Sequence, residues 1–250
     1  MTRDFAAGNY RYLPAGFQFS SGVAADPDFE IERVRFDTPV PLADGFSRIA
    51  DHILGAGRPL TALCACELRS PAALDGDGFR EFNKHYVKTL VEWGIYDGSS
   101  ENNPVARSNV CPEIDPPAEP SFFAFSFTRP ALGASKTCVI AGSGESTGGD
   151  GPYAERLVRY RDMSPEGFRD KVHFTVAEIL ARLSALGFSW ADVTGTQVYT
   201  VHDFHGLAAE ELVRAGAARA GLTWHYARPP VVDMEFEVDA RRVLREMVIE

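Results

Sequence analysis

Hydrophobic side chains in the first part of the chain recur at the spacing of two helices around a strand. Residues 42–57, LADGFSRIADHILGAG, carry an apolar residue every three or four positions and end in glycines that suit a helix C-terminus. The apolar run at residues 58–68, RPLTALCACEL, predicts a strand. Residues 76–94, GDGFREFNKHYVKTLVEWG, place large apolar side chains on one stripe and predict a second amphipathic helix.

The same order of elements occurs again in the second part of the chain. Residues 168–187 have an apolar stripe at helical spacing. Residues 188–201 are rich in the β-branched and aromatic side chains typical of a strand, and residues 202–221 predict another helix. The helix–strand–helix order is therefore repeated.

Two pairs of positions measure the repeat. Gly57 corresponds to Gly187 and Phe79 to Phe204, at offsets of 130 and 125 residues, which is about half of the chain. Two similar offsets, each about half of the chain, indicate a duplicated unit. Proline and glycine interrupt the pattern at residues 128–135, TRPALGAS, where we place the junction.

Strand-like segments flank the helices in both halves. They lie at Phe17–Val23, Ile31–Phe36, 108–114, 121–128, Thr137–Ala141, 223–227 and 234–240. Each half therefore has the order ββαβαββ and predicts an α+β unit, a mixed sheet with two helices packed on one face. We expect one domain over residues 1–130 and a second over residues 131–250, the latter with an insert at residues 142–165.

Composition narrows the function. The chain has a formal net charge of −10 and 45% hydrophobic residues, typical of a globular protein without general affinity for nucleic acid or anionic membranes. A few local arginines can still bind an anionic small molecule. The N-terminal residues lack a secretory signal pattern, and no apolar run approaches a bilayer-spanning length, so we expect a cytoplasmic protein.

Short motifs in both halves resemble the RidA/YjgF family. FQFSSGVA resembles the early strand that ends in Ser-Gly, GFREFNKHYVKTL the second helix, and NPVARSNV the Pro-Ala-Arg-Ser strand start. In the second half, LGFSWADVTGTQVYTVHDF and MEFEVDA resemble the middle and terminal strand segments. The resemblance implies two tandem RidA-like, chorismate-mutase-like domains. It also implies sites in clefts between sheets that hydrolyse enamines and imines without a cofactor or metal, and assembly in threes. The 2-aminomuconate deaminases of aromatic catabolism are the nearest functional match within it.

The resemblance also implies site residues. Arg107 is the carboxylate-binding arginine, and Glu235 is the terminal-strand glutamate expected to move protons. Asn83 and the backbone at Gly22 would hold the amino group, with Tyr12 as a wall. The second half lacks the arginine motif, and the first half lacks the glutamate. We therefore expect working sites to pair unlike halves.

A dicarboxylate substrate would need a second cation. Arg69 is our candidate for this role, and Arg11 and Arg228 are alternatives that the sequence leaves open. Three chains would supply six domains, so we expect a homotrimer of two stacked rings.

Several other interpretations stay open at this point. Glu235 shares an alternating strand face with Glu237 and Asp239, a pattern also typical of a solvated surface. His202, Asp203 and His205 could hold a metal, Cys111 could be a nucleophile, and the glycines at 142–151 form a loop or lid. The alternative functions are a broad imine deaminase of amino-acid metabolism, a chorismate-cleaving lyase and a carboxylate-binding module without activity.

Overall fold

The computed structural model describes residues 1–149 and 151–250. In the first half the strands are β1 (Arg3–Phe5), β2 (Tyr10–Leu13), β3 (Gly22–Ala25), β4 (Phe29–Pro41), β5 (Leu63–Arg69), β6 (Ala106–Pro112) and β7 (Ser121–Pro130). The helices are α1 (Leu42–Gly55) and α2 (Gly76–Glu92). Both helices form where the apolar periodicity predicted them, and Asp75 caps α2 by accepting a hydrogen bond from the Gly78 N–H.

The second half contains the remaining elements. Its strands are β8 (Cys138–Gly144), β9 (Gly195–Tyr199), β10 (Leu222–His225), β11 (Ala227–Arg228), β12 (Glu237–Arg242) and β13 (Arg245–Ile249). Its helical segments are α3 (Tyr153–Arg156), α4 (Pro165–Leu186), α5 (His205–Leu207) and a π-helical turn at Ala208–Val213. Ser164 caps α4, and Gly187 ends it in the left-handed conformation that favours glycine.

The two sheets exchange strands between the halves. A seven-stranded sheet has the order β1-β2-β3-β8-β12-β9-β10, so that the N-terminal strands extend the sheet of the second half. A six-stranded sheet has the order β11-β6-β5-β7-β4-β13, so that two C-terminal strands extend the sheet of the first half. The predicted α+β class is confirmed, whereas the division at residue 130 stays a prediction, because strands from each half complete the other's sheet.

The sheets pack face to face, with the helices on the outside. One apolar core lies between α4 and the seven-stranded sheet, and another between the six-stranded sheet and helices α1 and α2. A third cluster lies between the sheets and includes Tyr10, Val23, Ile31 and Ala106. The hydroxyl of Tyr10 donates across this interface to the carbonyl of Leu63 at 3.1 Å.

Charged residues are also buried between the sheets. Arg33 on β4 donates two hydrogen bonds to Glu67 on β5, at 2.6 and 2.9 Å. The side-chain amide of Gln197 on β9 reaches across to Glu67 at 3.1 Å and contacts Asp239 on β12 at 3.0 Å. Burial alone would raise the pKa of Glu67, but the two bonds from Arg33 hold it well below its ordinary value.

Some predicted elements differ from the structure. The helix predicted at residues 202–221 is wrong, because only α5 and the π-helical turn form there. Gly216 and Gly221 have positive φ angles that end helical geometry. The strand predicted at Phe17–Val23 is confined to β3, because Asn103 binds the carbonyls of Phe17 and Gln18 instead of a strand partner. The short strands β2 and β13 were not predicted.

The Arg33–Glu67 pair gives a stability prediction. Glu67→Gln leaves the Arg33 guanidinium buried with only a longer contact to Glu246 at 3.5 Å. We expect the free energy of unfolding, measured in urea at pH 7, to fall by about 3–5 kcal/mol. Because the pKa of Glu67 is depressed, this stabilisation is present above its ordinary pKa and is lost on acidification below it. In the control Glu113→Gln, which removes an exposed pair with Arg228, the midpoint should stay close to that of the unchanged protein.

Candidate active site

The outer edge of β6 is open beside the second sheet. Ser20 bridges to Ala106 at the start of this edge, and β11 pairs only with Cys111 and Pro112 at its end. Within the described residues, positions 107–110 have no strand partner on this side. The backbone N–H of Gly142 on β8 instead donates to the hydroxyl of Ser108 at 3.0 Å. The open edge therefore lies where the two halves meet.

Arg107 is a buried cation without a partner. Its guanidinium lies over four aromatic rings, with the shortest distance, 4.7 Å, to the ring centre of Tyr86; the others belong to Phe19, Phe79 and Phe82. All three guanidinium nitrogens are buried and make no hydrogen bond within the described residues. Burial lowers the pKa of this side chain, and an unpaired buried charge costs several kcal/mol. Such an arginine is suited to bind an anionic ligand.

Other unused polar atoms surround the same region. Asn83 donates to the carbonyl of Phe79 at 2.6 Å, but its side-chain oxygen has no partner among the described residues. Tyr86 lies one turn further along the buried face of α2, and its hydroxyl is also unsatisfied. Asn109 follows Arg107 by two positions, on the same face of β6, with an unsatisfied amide nitrogen. Because buried polar groups are normally paired, this grouping indicates a ligand site.

Glu237 places a carboxyl group beside this edge. A Cβ at Gly142 would lie 2.0 Å from Glu237 Oε1 and 3.3 Å from the Cα of Ser108, so the carboxyl group occupies the space that the glycine leaves. Burial raises the pKa of Glu237 well above its ordinary value, the neighbouring Asp239 raises it further, and Arg69 and Arg107 oppose this in part. Burial and Asp239 therefore both favour the acid form of Glu237.

Glu235, the predicted acid/base residue, has different neighbours. One of its oxygens lies 2.7 Å from His202 Nε2 and 3.6 Å from Arg228. The bond from His202 lowers the pKa of Glu235. Arg107 is not among the main influences on the pKa of Glu235, whereas it is among those on the pKa of Glu237.

The alternating face of β12 is not solvated. Glu237 and Asp239 are each only 4% exposed, because this face packs against the six-stranded sheet. The interpretation of these two acids as surface residues is therefore wrong. Alternation in the sequence could not distinguish a face covered by water from one covered by a second sheet.

Of the other predicted ligand residues, Asn83 lies with the aromatic residues around Arg107, whereas Tyr12 and Gly22 have other neighbours. Asn83 lies on the buried face of α2 that also carries Tyr86 and Phe79. The hydroxyl of Tyr12 lies 3.4 Å from the carbonyl of Asn102, and Gly22 packs against Ile140 and Leu186. Neither Tyr12 nor Gly22 contacts Arg107 in the described part of the chain.

The three candidate second cations also differ. Arg228 is bound to Glu113 at 2.8 Å, and Arg11 donates to the carbonyl of Leu186 at 3.0 Å. Arg69 is 3% exposed, lies 3.9 Å from the ring centre of Phe123 and keeps one nitrogen without a partner in the described residues. The positive charge of Arg69 also lowers the pKa of Glu237. Of the three candidates, Arg69 is therefore the one whose charge is felt at the site.

The insert packs against the site from the second half. Leu157 and Tyr153 of the insert contact an apolar cluster with Phe79, Val231 and Met234. Its base is anchored by the fully buried pair of Glu145 with Lys171 at 3.3 Å, and Glu145 also accepts the backbone N–H groups of residues 235 and 236. Residue 150 of the predicted glycine loop lies outside the described residues.

The metal and nucleophile alternatives find little support. Among the described residues no group of three or more His, Cys, Asp or Glu side chains is arranged to hold a metal ion. His202 binds Glu235, while the Asp203–His205 pair is exposed. Burial raises the pKa of Cys111 to about 12, so its thiol is not a ready nucleophile.

In the described part of the chain, no helix is long and apolar enough to cross a membrane.

The raised pKa of Glu237 predicts how the stability of the protein depends on pH. Its folded-state pKa lies above the ordinary 4.5, so the stability of the protein should decline as pH rises from about 4.5 towards the raised value. Glu237→Gln removes this decline. We expect a free energy of unfolding higher than that of the unchanged protein by about 1–3 kcal/mol at pH 8 and nearly equal to it at pH 4. Urea unfolding at both pH values measures this, and a constant difference across pH would contradict it.

The chain matches one protein family over almost its whole length. The family model described as 2-aminomuconate deaminase CnbZ matches residues 2–247. The chain is 50% identical over 247 residues to a 2-amino-5-chloromuconate deaminase of Comamonas testosteroni, covering 98% of each chain. A chorismatase structure superposes with a TM-score of 0.51 at 15% identity, covering 89% of this chain and 77% of its own. The yjgF gene product of E. coli covers 44% of this chain and 81% of its own, with 18% identity and a TM-score of 0.31.

These similarities decide two of the expectations. The chorismatase comparison extends the shared α+β architecture over nearly the whole chain, which confirms the predicted fold class. The family model and the Comamonas relative each span nearly the full length, which confirms the predicted kinship. The chain belongs to the 2-aminomuconate deaminase CnbZ family.

Proposed function

We propose that this chain is a hydrolytic deaminase that converts a 2-aminomuconate or a close analogue to the corresponding oxo acid and ammonia. One observation carries the proposal. A buried guanidinium at Arg107, without a hydrogen-bond partner in the described residues, lies within electrostatic range of the buried Glu237 carboxyl group, whose acid form is favoured by burial. The first group is suited to a substrate carboxylate, and the second can deliver a proton to an enamine. The 50% identical relative named for 2-amino-5-chloromuconate supports the same substrate class.

The reaction needs one proton donor and one water. Glu237 in its acid form donates its proton to the enamine carbon, which leaves an iminium at C2. Water then bonds to C2 while the Glu237 carboxylate accepts its proton, giving a carbinolamine. The C–N bond breaks as a proton passes from the hydroxyl group to the departing nitrogen, and ketone and ammonia are formed. One water is consumed, and Glu237 returns to its acid form.

The surroundings of Arg107 support this sequence of steps. A bidentate bond from Arg107 to the C1 carboxylate would hold C2 beside the open edge of β6. The free side-chain oxygen of Asn83 can accept a hydrogen bond from the substrate amino group. A cavity of about 10 Å³ between the sheets, bordered by Ser108 and Asp239, is the size that one water molecule needs.

Arg69 is our proposed partner for the distal carboxylate. Arg69 keeps a buried nitrogen that has no hydrogen-bond partner in the described residues. The positive charges of Arg69 and Arg107 both lower the pKa of Glu237, so Glu237 lies within range of both cations. A dicarboxylate could therefore span the two arginines with its reactive carbons near Glu237. A substrate with a single carboxylate would have no use for this second cation.

Assembly remains a prediction from the family resemblance. Arg107 and Glu237 belong to the same chain, so the proposed site needs no residue from a neighbouring chain. The homotrimer of six domains would then serve a purpose other than completing this site, and the cytoplasmic location rests on the sequence alone.

Ammonia release tests the catalytic assignments. Arg107→Met keeps the packing against the four rings but removes the carboxylate ligand, so kcat/KM for 2-aminomuconate should fall at least about 100-fold without loss of stability. Glu237→Gln should lower kcat by about the same factor. Glu235→Gln is the matched comparison, and a larger loss of kcat in it would return the acid/base role to Glu235. Arg80→Met, on the exposed face of α2, is the control for charge removal. Ligand binding without any ammonia release would favour the binding-module alternative.

Substrate length tests Arg69. In Arg69→Met, KM for 2-aminomuconate should rise at least about tenfold, because one charge-assisted contact is lost. The same kinetic constants for a 2-iminomonocarboxylate should change little. Equal effects on both substrates would show that Arg69 acts on the fold and not on the distal carboxylate.

A further inference from the structure

Asp239 is a buried carboxylate surrounded by donors. It is 4% exposed and accepts hydrogen bonds from Ser108 at 2.7 Å, from Tyr199 at 2.8 Å and from Gln197 at 3.0 Å. These donors come from β6 and β9, on both sheets. Burial and the neighbouring Glu67 raise the pKa of Asp239, and the bonds donated by Gln197 and Ser108 oppose this by stabilising the ionised form. With three donors around it, Asp239 is better placed than Glu237 to carry a negative charge.

Asp239 and Glu237 share one face of β12. They pair with Gln197 and Tyr199 on β9 in regular register, so their side chains point the same way, two residues apart. Ser108 lies between them, because its hydroxyl donates to Asp239 while its Cα borders the space that holds the Glu237 carboxyl group. The same hydroxyl accepts the Gly142 N–H. The two acids are thus fixed side by side by the contact of the two halves.

Other charged groups also face this pair. They are Arg33, Glu67 and Arg69 from the six-stranded sheet, Arg107 from the same sheet, Arg182 from α4, Glu145 from β8 and its loop, and Arg241 from β12. Glu67 is neutralised by Arg33 and Glu145 by Lys171. Arg241 is engaged by Glu246 at 2.6 Å. Asp239 is therefore the nearby anion that has donors but no arginine bound to it.

We propose that Asp239 is a positioning residue whose fixed negative charge keeps the neighbouring Glu237 in its acid form, ready to protonate the substrate. The proposal rests on the proposed function for its chemical purpose. A carboxylic acid of ordinary acidity would be ionised at neutral pH and could not start the reaction. Asp239 removes this obstacle without touching the substrate. The arrangement also explains why Asp239 is bound by uncharged donors, since an arginine salt bridge would cancel the field that Glu237 feels.

The direct test follows the titration of Glu237. Protein labelled with ¹³C at the glutamate side-chain carboxyl groups gives a resonance for Glu237, identified by its absence in Glu237→Gln. In Asp239→Asn, which keeps the shape but removes the charge, the titration midpoint of Glu237 should fall by at least about one pH unit. The control Glu32→Gln removes an equally buried carboxylate that pairs with Arg129 elsewhere, and should leave the midpoint unchanged. An unchanged midpoint in Asp239→Asn would overturn the proposal.

A second variant protects the test against misfolding. Tyr199→Phe removes one donor from Asp239 and makes that carboxylate easier to protonate. The midpoint of Glu237 should then fall in the same direction, but by less than in Asp239→Asn. A rise in the midpoint would contradict the proposal.

Kinetics separate this inference from the function on which it rests. In Asp239→Asn the alkaline limb of the kcat/KM profile, which reports the free enzyme, should move to lower pH by the same amount as the NMR midpoint. Asp239→Glu, which restores the charge, should move it back. If the NMR midpoint moves but the unchanged protein releases no ammonia from any enamine or imine, the proposed function fails while the coupling of the two acids stands. If ammonia is released and the limb does not move, the role of Asp239 fails alone.

Discussion

The structure depends on two sheets that pack face to face and must neutralise the charges buried between them. Apolar contact supplies much of this interface, but Arg33, Glu67, Gln197 and Asp239 also lie inside it. A charge removed from water is tolerated only when partners replace its hydration. Because these partners come from both halves of the chain, the polar layer fixes how the halves are placed against each other. The exchange of edge strands reinforces the same arrangement.

Against this balanced layer, Arg107 is the exception. Its neighbours are aromatic rings, and its nitrogens are the largest set of unsatisfied polar atoms on one side chain in the described residues. A folded protein keeps such a group only if something else compensates it, and a substrate carboxylate is the compensation that the family affiliation suggests. Glu237 also carries a cost in stability, because its burial raises the pKa of the carboxyl group and disfavours the ionised form. In the proposed site both residues would lower stability in favour of function, a common trade-off.

Duplication explains how one chain can contain both parts of the site. One half retains the arginine on β6, and the other retains acids on β12. Packing the halves together joins them at the open edge of β6, where Gly142 leaves room for the Glu237 carboxyl group. In a ring of single-domain subunits the same meeting would require separate chains. In the proposed site of this chain, the fold itself brings the two parts together.

The sequence by itself determined the local structure and the residue types of the site. Helices α1, α2 and α4 follow from apolar periodicity and caps, and Arg107 and Asn83 follow from motifs, because these signals act between residues close in the chain. It also placed the decisive acids on one face of a strand. Only the tertiary structure decided that this face meets a second sheet and not water, and that Glu237, not Glu235, comes to share a charge environment with Arg107. The proton affinity of a carboxyl group depends on burial and on charges far away in the sequence, and those are set only when the two halves pack together.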